Sequence, residues 1–296
     1  MLYNNLSSYF KKKYAKRLVK ICIDGGFGCP NRDGKVGYAG CIYCGERGAG
    51  EHIDPKESIK EQVLSALSSA EDEDLFVAYF QNFTNTYAPV EILKERYDSA
   101  LIDNRIKVLA IGTRPDCIDE EVAKLIASYK DKVDVWVELG LQTANDKTAE
   151  IINRGYPRET FNKAVSILKK YDIPIVVHLI VGLPGETFDD IKNTVDYLNQ
   201  FDLFGIKIHS IYVMNGTALE KMYLEGKYSP PTMDEYIDGV IYILSHISPD
   251  VTVHRLTGDC PKNMLVAPDW NGRKNEIINT IVYKMQQNNL FQGCKH

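Results

Sequence analysis

The chain alternates six times between short apolar runs and longer amphipathic stretches. The six runs are rich in β-branched or aromatic residues and have the length of buried strands: "RLVKICI", "DLFVAYF", "IKVLAIG", "VDVWVELGL", "IPIVVHLIVG" and "GIKIHSIYV". Between them, apolar side chains recur at helical spacing, as in Val122, Leu125, Ile126 and Tyr129. This alternation predicts an α/β fold in which helices cover a parallel sheet, and six units fit a partial (β/α)6 barrel better than the closed eight-unit barrel.

The pattern changes after about residue 215. The remaining sequence contains a Pro-Pro stop, one apolar helix, one short strand, a long polar loop and a final helix with Ile277, Ile281 and Met285 on one face. We therefore predict a core barrel with an N-terminal lead-in over 1–215. A small α/β extension over 216–296 is expected to pack on that barrel.

Composition narrows the functional classes. With 296 residues, of which 44% are hydrophobic, the chain is long enough for one large barrel with an appendage. The net charge of −5 argues against a general nucleic-acid coat. No apolar run reaches the roughly 18 residues that span a membrane, and the N-terminus lacks a signal-peptide pattern. We expect a cytoplasmic protein whose thiols stay reduced, so that clustered cysteines are metal ligands or catalytic groups rather than disulfides.

One glycine-rich loop directly follows the first predicted strand and holds Cys29, Cys41 and Cys44. In a parallel barrel the chemistry lies where strands end, so these thiols are expected at the mouth. Thiolates bind zinc or iron–sulfur clusters. A structural zinc site needs four ligands, and His52 is the nearest further candidate, whereas an iron–sulfur cubane held by three thiolates leaves one iron open. The other cysteines show no second cluster spacing: Cys22 (an expected core residue), Cys117, Cys260 and Cys294.

The loop and the later motifs together resemble the radical S-adenosylmethionine (SAM) superfamily. Eleven residues separate Cys29 from Cys41, which departs from the common CxxxCxxC motif and resembles the branch that includes the Elongator catalytic subunit. Within that branch the chain is most similar to the YhcC/YtqA-like (MnmL-type) group. The resemblance spans nearly the whole chain and includes "YFQNFTNTY", "GTRPDC", "ELGLQTANDKTAEIINRGY", "VGLPGET" and "HRLTGDCPKNMLVAPDW".

The resemblance implies a partial TIM-like radical SAM barrel in which the three loop cysteines ligate a [4Fe–4S] cluster. The open iron would bind SAM, and one-electron reduction would generate a 5′-deoxyadenosyl radical that abstracts hydrogen from the substrate. It also implies a one-electron donor such as flavodoxin or ferredoxin. The branch favours tRNA wobble-uridine chemistry, in the form of 5-carboxymethylaminomethyluridine conversion to 5-aminomethyluridine. The alternative is a non-catalytic zinc- or cluster-bearing protein that binds RNA or another partner.

Residues at strand ends are the candidates for contact with SAM. Gln81 and Asn82, where family members often carry Gly-Gly-Glu, are expected to hold the methionyl ammonium, or else to satisfy their own loop backbone. Glu138 is expected to bind the ribose hydroxyls, or else to form a structural ion pair with Arg114 or Arg154. Gln142 follows Glu138 at an even spacing, so we predict that it points to the same side and assists.

Two further candidates for the cofactor site carry structural alternatives. Arg154 is expected to pair with the methionyl carboxylate through its planar guanidinium, or else to be a surface arginine. Tyr43, inside the CxxC segment, is expected near the adenine, or else packs within the loop. In "VGLPGET" followed by "FDD", Thr187 and Asp190 predict a capping box at the start of a helix.

The substrate candidates lie at the mouth or within strands. Arg114 and Asp116 follow the third strand and either contact substrate or form a mutual ion pair. His178 and His209 lie within strands and either contact substrate or are hydrogen-bonded core residues. The first surface to suspect for RNA binding is the one basic cluster, formed by Lys11, Lys12, Lys13, Lys16, Arg17 and Lys20.

Overall fold

A computed structural model describes residues 2–48, 53, 56–258 and 260–296. The strands are β1 (Leu18–Ile23), β2 (Leu75–Phe80), β3 (Ile106–Thr113), β4 (Asp134–Gln142), β5 (Ile175–Val181), β6 (Gly205–Ser210), β7 (Val213–Met214), β8 (Thr252–Arg255) and β9 (Leu265–Ala267). The helices are α1 (Leu6–Tyr14), α2 (Ile59–Ser68), α3 (Val90–Ala100), α4 (Glu120–Ala127), α5 (Asp146–Ile151), α6 (Arg158–Lys170), α7 (Phe188–Leu198), α8 (Ala218–Leu224), α9 (Met233–His246) and α10 (Lys274–Gln287).

Seven strands form one sheet in the order β1-β2-β3-β4-β5-β6-β8, and every neighbouring pair is parallel. The sheet curls into a half-barrel, so the predicted fold class is confirmed. The count of six strands is one short, because β8, from the predicted extension, pairs with the edge of β6. A four-residue strand is too short for its alternation to reveal which sheet it joins. β7 and β9 form a separate antiparallel pair.

The two faces of the sheet bury different side chains because successive residues of a strand point to opposite sides. In β3, Leu109 and Ile111 belong to the large core between the sheet and the outer helices. Val108 and Ala110 instead belong to a smaller cluster on the concave inner face. We call the space enclosed by this concave face the lumen.

Helix α1 closes the lumen at the amino-terminal ends of the strands, which we call the floor. Phe10 of α1 is buried and stacks on Trp136 with ring centroids 6.2 Å apart. Lys13 pairs with Asp134, the first residue of β4, at 2.5 Å, and Lys16 pairs with Glu73, just before β2, at 2.9 Å. The basic N-terminal cluster therefore lies mainly at the floor, at the opposite end of the strands from the mouth.

Local sequence fixes where several helices begin. Asp190 accepts hydrogen bonds from the backbone N and Oγ1 of Thr187, both at 2.8 Å, which confirms the predicted capping box of α7. Ser58 and Glu61 form the equivalent box at the start of α2. Within the described part of the chain, no helix is both long enough and apolar enough to cross a membrane.

Candidate functional site

The thiol loop, by which we mean residues 24–48, follows β1 at the carboxyl ends of the strands, the mouth of the half-barrel. Its CxxC segment is held by Arg32, whose guanidinium donates to the carbonyl oxygens of Cys44 at 3.2 Å, Gly45 at 2.6 Å and Glu46 at 3.1 Å. Cys44 N also donates to Cys41 O at 3.0 Å. One arginine thus fixes the backbone that carries two of the three thiols.

A second element, the turn 152–155 that follows α5, clasps the same loop. Asn31 Nδ2 donates to Asn153 O at 2.6 Å, and Asn153 Nδ2 donates back to Gly40 O at 2.7 Å. Gly155 has φ of +82°, and a Cβ there would lie 3.1 Å from the Asn31 amide, so a side chain at this position would disturb the clasp. The "INRG" segment therefore positions the thiol loop from across the mouth.

The thiols interact electrostatically with one another. Donation from Cys44 lowers the pKa of the Cys41 thiol to about 6 against the effect of burial, and Arg114 assists. The same contact raises the pKa of Cys44, with burial and Cys29 acting in the same direction. A thiol that ionises near neutral pH is suited to metal ligation, since the thiolate is the ligand. Across the described ranges no three His, Cys, Asp or Glu side chains already form a metal cage, so the three cysteines remain a predicted ligand set. His52 lies outside the described residues.

The polar segment after β2 lies against the thiol loop. Asn82 is fully buried and donates through Nδ2 to Asp24 at 2.7 Å, whereas Gln81 is partly buried and donates its backbone N to Ile23 at 3.2 Å. Asn85 Nδ2 bonds the Phe80 and Gly112 carbonyl oxygens, as the structural alternative expects of this loop. The Oδ1 atoms of Asn82 and Asn85 are buried without a hydrogen-bond partner among the described residues, which is a cost that a bound donor would remove.

Arg114 and Asp116 form the mutual ion pair that we gave as one alternative, with N–O distances of 2.9 and 2.7 Å. Arg114 also donates to the carbonyl oxygen of Arg154 at 3.0 Å. Its guanidinium carbon lies 4.8 Å from the centre of the Tyr156 ring, and that of Arg154 lies 4.7 Å from the same ring. These residues build one rigid wall of the mouth beside Cys41.

Arg154 has no exposed surface, so the alternative of a surface arginine is wrong. Its guanidinium donates to the carbonyl oxygens of Leu141 at 2.5 Å, Thr143 at 2.7 Å and Tyr156 at 3.0 Å, and approaches Asp146 at 3.3 Å. Each of its nitrogens is therefore engaged by the protein. The arginine holds the end of β4 and the loop that follows it.

Glu138 is 1% exposed and lies at the middle of β4, facing the lumen. Oε1 accepts from Trp136 Nε1 at 3.0 Å, and Oε2 accepts from His178 Nε2 at 2.7 Å and from Lys207 Nζ. The structural alternative of a pair with Arg114 or Arg154 is wrong, because Lys207 and His178 are the partners. Burial alone would raise the pKa of Glu138, but these two neighbours hold it well below the usual value.

The two strand histidines lie side by side in the lumen, with ring centroids 5.3 Å apart. Burial lowers the pKa of His178, so its neutral ring donates from Nε2 to the Glu138 carboxylate. Burial also holds the pKa of His209 well below its usual value. His209 Nε2 is buried, and the described residues offer it no hydrogen-bond partner. His178 is therefore a hydrogen-bonded residue, as one of the two alternatives predicted. His209 instead has a buried nitrogen without a hydrogen-bond partner among the described residues.

Gln142 and Tyr43 lie at the mouth. Gln142 has φ of +61°, and the pairing of β4 with β5 shifts register between Gly140 and Gln142, so the alternation predicted from Glu138 is broken there. Its amide folds back to where a Cβ of Gly140 would be. Tyr43 packs against an apolar cluster that includes Leu183 and Ile211, which follow β5 and β6 and lie outside the thiol loop, so its position near the adenine stays a prediction.

Sequence reasoning missed Lys207 and Glu186. Lys207 is 3% exposed and alternates with His209 along β6, the same signal of a polar residue in an apolar strand that singled out Glu138. Glu186 lies in "VGLPGET", where its Oε1 is buried without a partner in the described structure. Burial raises the pKa of Glu186 to about 7, with Thr143 acting in the opposite direction. A strand-to-helix turn is enough to explain "VGLPGET", and this interpretation gives no reason to single out the carboxyl group of Glu186.

A cleft of about 390 Å³ lies beside the thiol loop, between residues 24–27 and the start of α2. Arg47, Gln62 and Arg96 contribute to its lining, but none of the predicted site residues does. The lumen, rather than this cleft, holds the buried charges and the unmatched polar atoms. We therefore place the candidate site at the mouth and in the lumen beneath it.

Comparisons with known proteins agree with this geometry. The chain is 35% identical to "Uncharacterized protein YtqA" of Bacillus subtilis over 98% of this chain and 92% of that protein. It is 28% identical to the "tRNA uridine(34) acetyltransferase" of Methanocaldococcus jannaschii over 65% of this chain and 35% of that protein. The solved structure of Methanocaldococcus infernus Elp3 with an N-terminal deletion matches with a TM-score of 0.71 at 19% identity, over 93% of this chain and 64% of that one.

Two family models match the chain in succession. The Radical_SAM C-terminal domain matches residues 204–287, which include β6 and the strand β8 beside it. The Radical SAM superfamily model matches residues 25–198, which begin in the thiol loop and run through α7. This family implies a [4Fe–4S] cluster and SAM as cofactors. Since the second match covers more than half of the 296 residues, the chain belongs to the radical SAM superfamily.

Proposed function

We propose that this enzyme uses a [4Fe–4S] cluster and SAM to modify the side chain of a wobble uridine in tRNA. The observation that carries the proposal is the position of the three thiols at the mouth of a half-barrel whose lumen holds buried, incompletely matched polar groups. Radical chemistry needs a reactive centre above an enclosed space from which water is excluded. The thiol loop and the lumen together meet that need.

The chain has residues suited to both cofactors. Cys29, Cys41 and Cys44 would ligate the cluster, and the low pKa of Cys41 supplies a thiolate at neutral pH. Asn82, with Oδ1 unmatched among the described residues, and Gln81 beside it would face the methionyl ammonium. When bound and reduced, the cluster and SAM supply a 5′-deoxyadenosyl radical that removes a hydrogen atom from substrate.

The remaining assignments follow from which atoms are still available. Gln142 and Tyr43 stay in the proposed cofactor site at the mouth. We leave Arg154 out of it because all of its guanidinium nitrogens already bond the protein. We assign Glu138 to the substrate site instead of the cofactor site. Both of its oxygens already accept from Trp136, His178 or Lys207, and it lies at the middle of its strand rather than at the end.

The proposed reaction starts on the glycyl α-carbon of 5-carboxymethylaminomethyluridine. The adjacent nitrogen and carboxylate delocalise the unpaired electron that hydrogen abstraction leaves there. Loss of the unpaired electron to a one-electron acceptor, such as an oxidised iron–sulfur protein or flavodoxin, together with loss of the N–H proton to solvent, would form a C=N bond. Addition of water then releases glyoxylate and leaves 5-aminomethyluridine. A flavodoxin or ferredoxin would supply the electron that begins each cycle.

The likeness to a tRNA uridine(34) acetyltransferase supports tRNA as the substrate class. The surface offers a second argument. Between Cys29 and Cys41 the thiol loop exposes Lys35 and Tyr38, the latter at 83%, close to the mouth. An exposed aromatic ring is suited to stacking on an unpaired base, and an exposed ammonium group on the same loop is suited to contact with phosphate. The N-terminal basic cluster lies mainly at the floor, so this loop is the better candidate for the anticodon.

Anaerobic reconstitution tests the proposal. The purified chain should take up four iron and four sulfide, and with dithionite, SAM and tRNA containing 5-carboxymethylaminomethyluridine it should yield 5′-deoxyadenosine and 5-aminomethyluridine by mass spectrometry. Cys41→Ala should lose both products, whereas the matched control Cys294→Ser should keep them. Zinc uptake without iron would favour the non-catalytic alternative. 5′-Deoxyadenosine without a change in the nucleoside would refute the tRNA substrate alone.

A further inference from the structure

We infer that the lumen is a carboxylate-binding site in which Lys207 and Lys20 hold the acidic group of the substrate. The inference deepens the proposed function and rests on it for the identity of that substrate. It is carried by the way two ammonium groups and one carboxylate are arranged around a single tyrosine ring. Neither lysine belongs to the thiol loop or to the proposed cofactor site.

The two ammonium groups converge on Tyr79 of β2. Lys207 Nζ lies 4.1 Å from the centre of the Tyr79 ring, and Lys20 Nζ lies 4.9 Å from it. Tyr79 is 4% exposed and faces the lumen from a central strand, whereas Lys20 comes from the edge strand β1 and is exposed. A ligand that enters along the open side of the half-barrel therefore meets Lys20 first and Lys207 behind it.

Positive charge exceeds negative charge at this point of the lumen. Glu138 accepts from Lys207 and also interacts electrostatically with Lys20, so one carboxylate faces two ammonium groups. Burial lowers the pKa of Lys207 to about 7 even though Glu138 opposes the shift, and Lys20 and Arg255 add to the lowering by repulsion. An anion placed between the two ammonium groups would relieve this repulsion.

Stability alone does not account for the cluster. The free energy lost by removing an ion pair from water is about as large as the free energy gained from its attraction in the interior. Replacing such a pair by apolar residues of similar volume often leaves a protein at least as stable. His209 adds a second observation, since its buried Nε2 has no hydrogen-bond partner in the described part of the chain and its ring lies beside that of His178. A carboxylate has lone pairs for the Nε2–H as well as for the lysines.

The depth of the site suits the proposed reaction. Lys207 is the third residue of β6 and lies three residues before its carboxyl end, which corresponds to roughly 10 Å below the mouth. In the proposed substrate the carboxylate is attached to the carbon that loses hydrogen. Fixing the carboxylate in the lumen therefore fixes the reacting carbon between the lysines and the mouth, where the thiols lie.

Binding of two nucleosides that differ only in this group tests the inference. Isothermal titration calorimetry of the cluster-loaded protein should give at least tenfold tighter binding of 5-carboxymethylaminomethyluridine than of 5-methylaminomethyluridine. Lys207→Met and Lys20→Met should each reduce that ratio to about two or less. Lys12→Met, an exposed lysine of α1, is the matched control and should keep the full ratio.

A smaller pair of probes separates this inference from the proposed function. N-methylglycine and its amide differ in the carboxylate and carry no nucleoside. Saturable quenching of the protein's tryptophan fluorescence by N-methylglycine alone, lost in Lys20→Met, would support the lumen site even if tRNA is not modified. Equal binding of acid and amide in the wild-type protein, together with a nucleoside ratio near one, would overturn the inference. Lys20→Met serves as the second variant because Lys20 is exposed and its loss leaves the Glu138–Lys207 pair intact.

Discussion

Replacing Arg154 by methionine should destabilise the protein before any cofactor is added. The change removes a buried guanidinium that donates to the carbonyl oxygens of Leu141, Thr143 and Tyr156. Charge-assisted hydrogen bonds contribute about 1.5–3 kcal/mol each. We take the lower value, because water can follow the half-exposed Asp146 side chain into the vacated space.

Three such bonds give about 4.5 kcal/mol, and relief of the desolvated charge returns about 1 kcal/mol. The expected loss in the free energy of unfolding is therefore about 3.5 kcal/mol, or a fall in Tm of roughly 5 °C for a chain of 296 residues. Arg154→Lys should recover only part of it, because one ammonium group cannot reproduce the planar fork.

Urea unfolding of the reduced apoprotein measures this effect without SAM. Arg273→Met, an exposed arginine with 50% of its side chain accessible, is the matched control and should stay within about 0.5 kcal/mol of the wild type. A wild-type unfolding free energy for Arg154→Met, combined with a raised KM for SAM, would refute the reasoning. That result would return Arg154 to the cofactor site.

Three further outcomes are expected. At pH 8 the free energy of unfolding of Glu186→Gln should exceed that of the wild type by about 1–2 kcal/mol, and at pH 5 the two should be equal. The reason is that a carboxyl group whose pKa is raised to about 7 stabilises the folded state only while it is protonated; equal effects at both pH values would contradict this. Glu138→Leu and Lys207→Met should each cost about 3–5 kcal/mol by denaturant titration, whereas the double variant should recover at least half of the summed loss; simple additivity would argue against a coupled pair. Tyr38→Ala should raise KM for tRNA about tenfold in steady-state assays while Lys12→Gln leaves it unchanged, and the reverse order would assign RNA binding to the floor.

The periodicity of the chain was sufficient to predict the first six strands and the position of the thiols. Both depend on local patterns, because a buried parallel strand must be apolar and its carboxyl end must face the mouth. The same approach missed β8 as a seventh strand, since nothing in "TVHR" indicates that its partner is Gly205–Lys207 of β6. Strand pairing across 47 residues depends on the packing of α9 and the loops between, which local patterns do not encode.

The sequence also did not show which side chains the buried charged residues would pair with. Glu138 was correctly singled out as a carboxylate that needs donors, but the sequence offers several cations, and only the register of β4 through β6 shows that Lys207 supplies one. The main partners of Arg154 are backbone carbonyl oxygens, which every residue has. The sequence therefore contains no complementary side chain from which this role could be predicted. Asn31 and Asn153 are 122 residues apart and were missed for the same reason.

The segment just before α1 contacts β8, and this contact affects the order in which parts of the chain can fold. Val253 N donates to Asn4 O at 2.7 Å, and the side chains of Asn4 and Thr252 meet across 248 positions of sequence. During synthesis, residues 4 and 5 therefore emerge long before their partners. Until then β6 presents an unpaired edge to other nascent chains, which is a hazard for mispairing. A pause in translation after β6 has left the ribosome, and before residues 252–255 have done so, should expose this edge, and a chaperone that covers it would act at that stage.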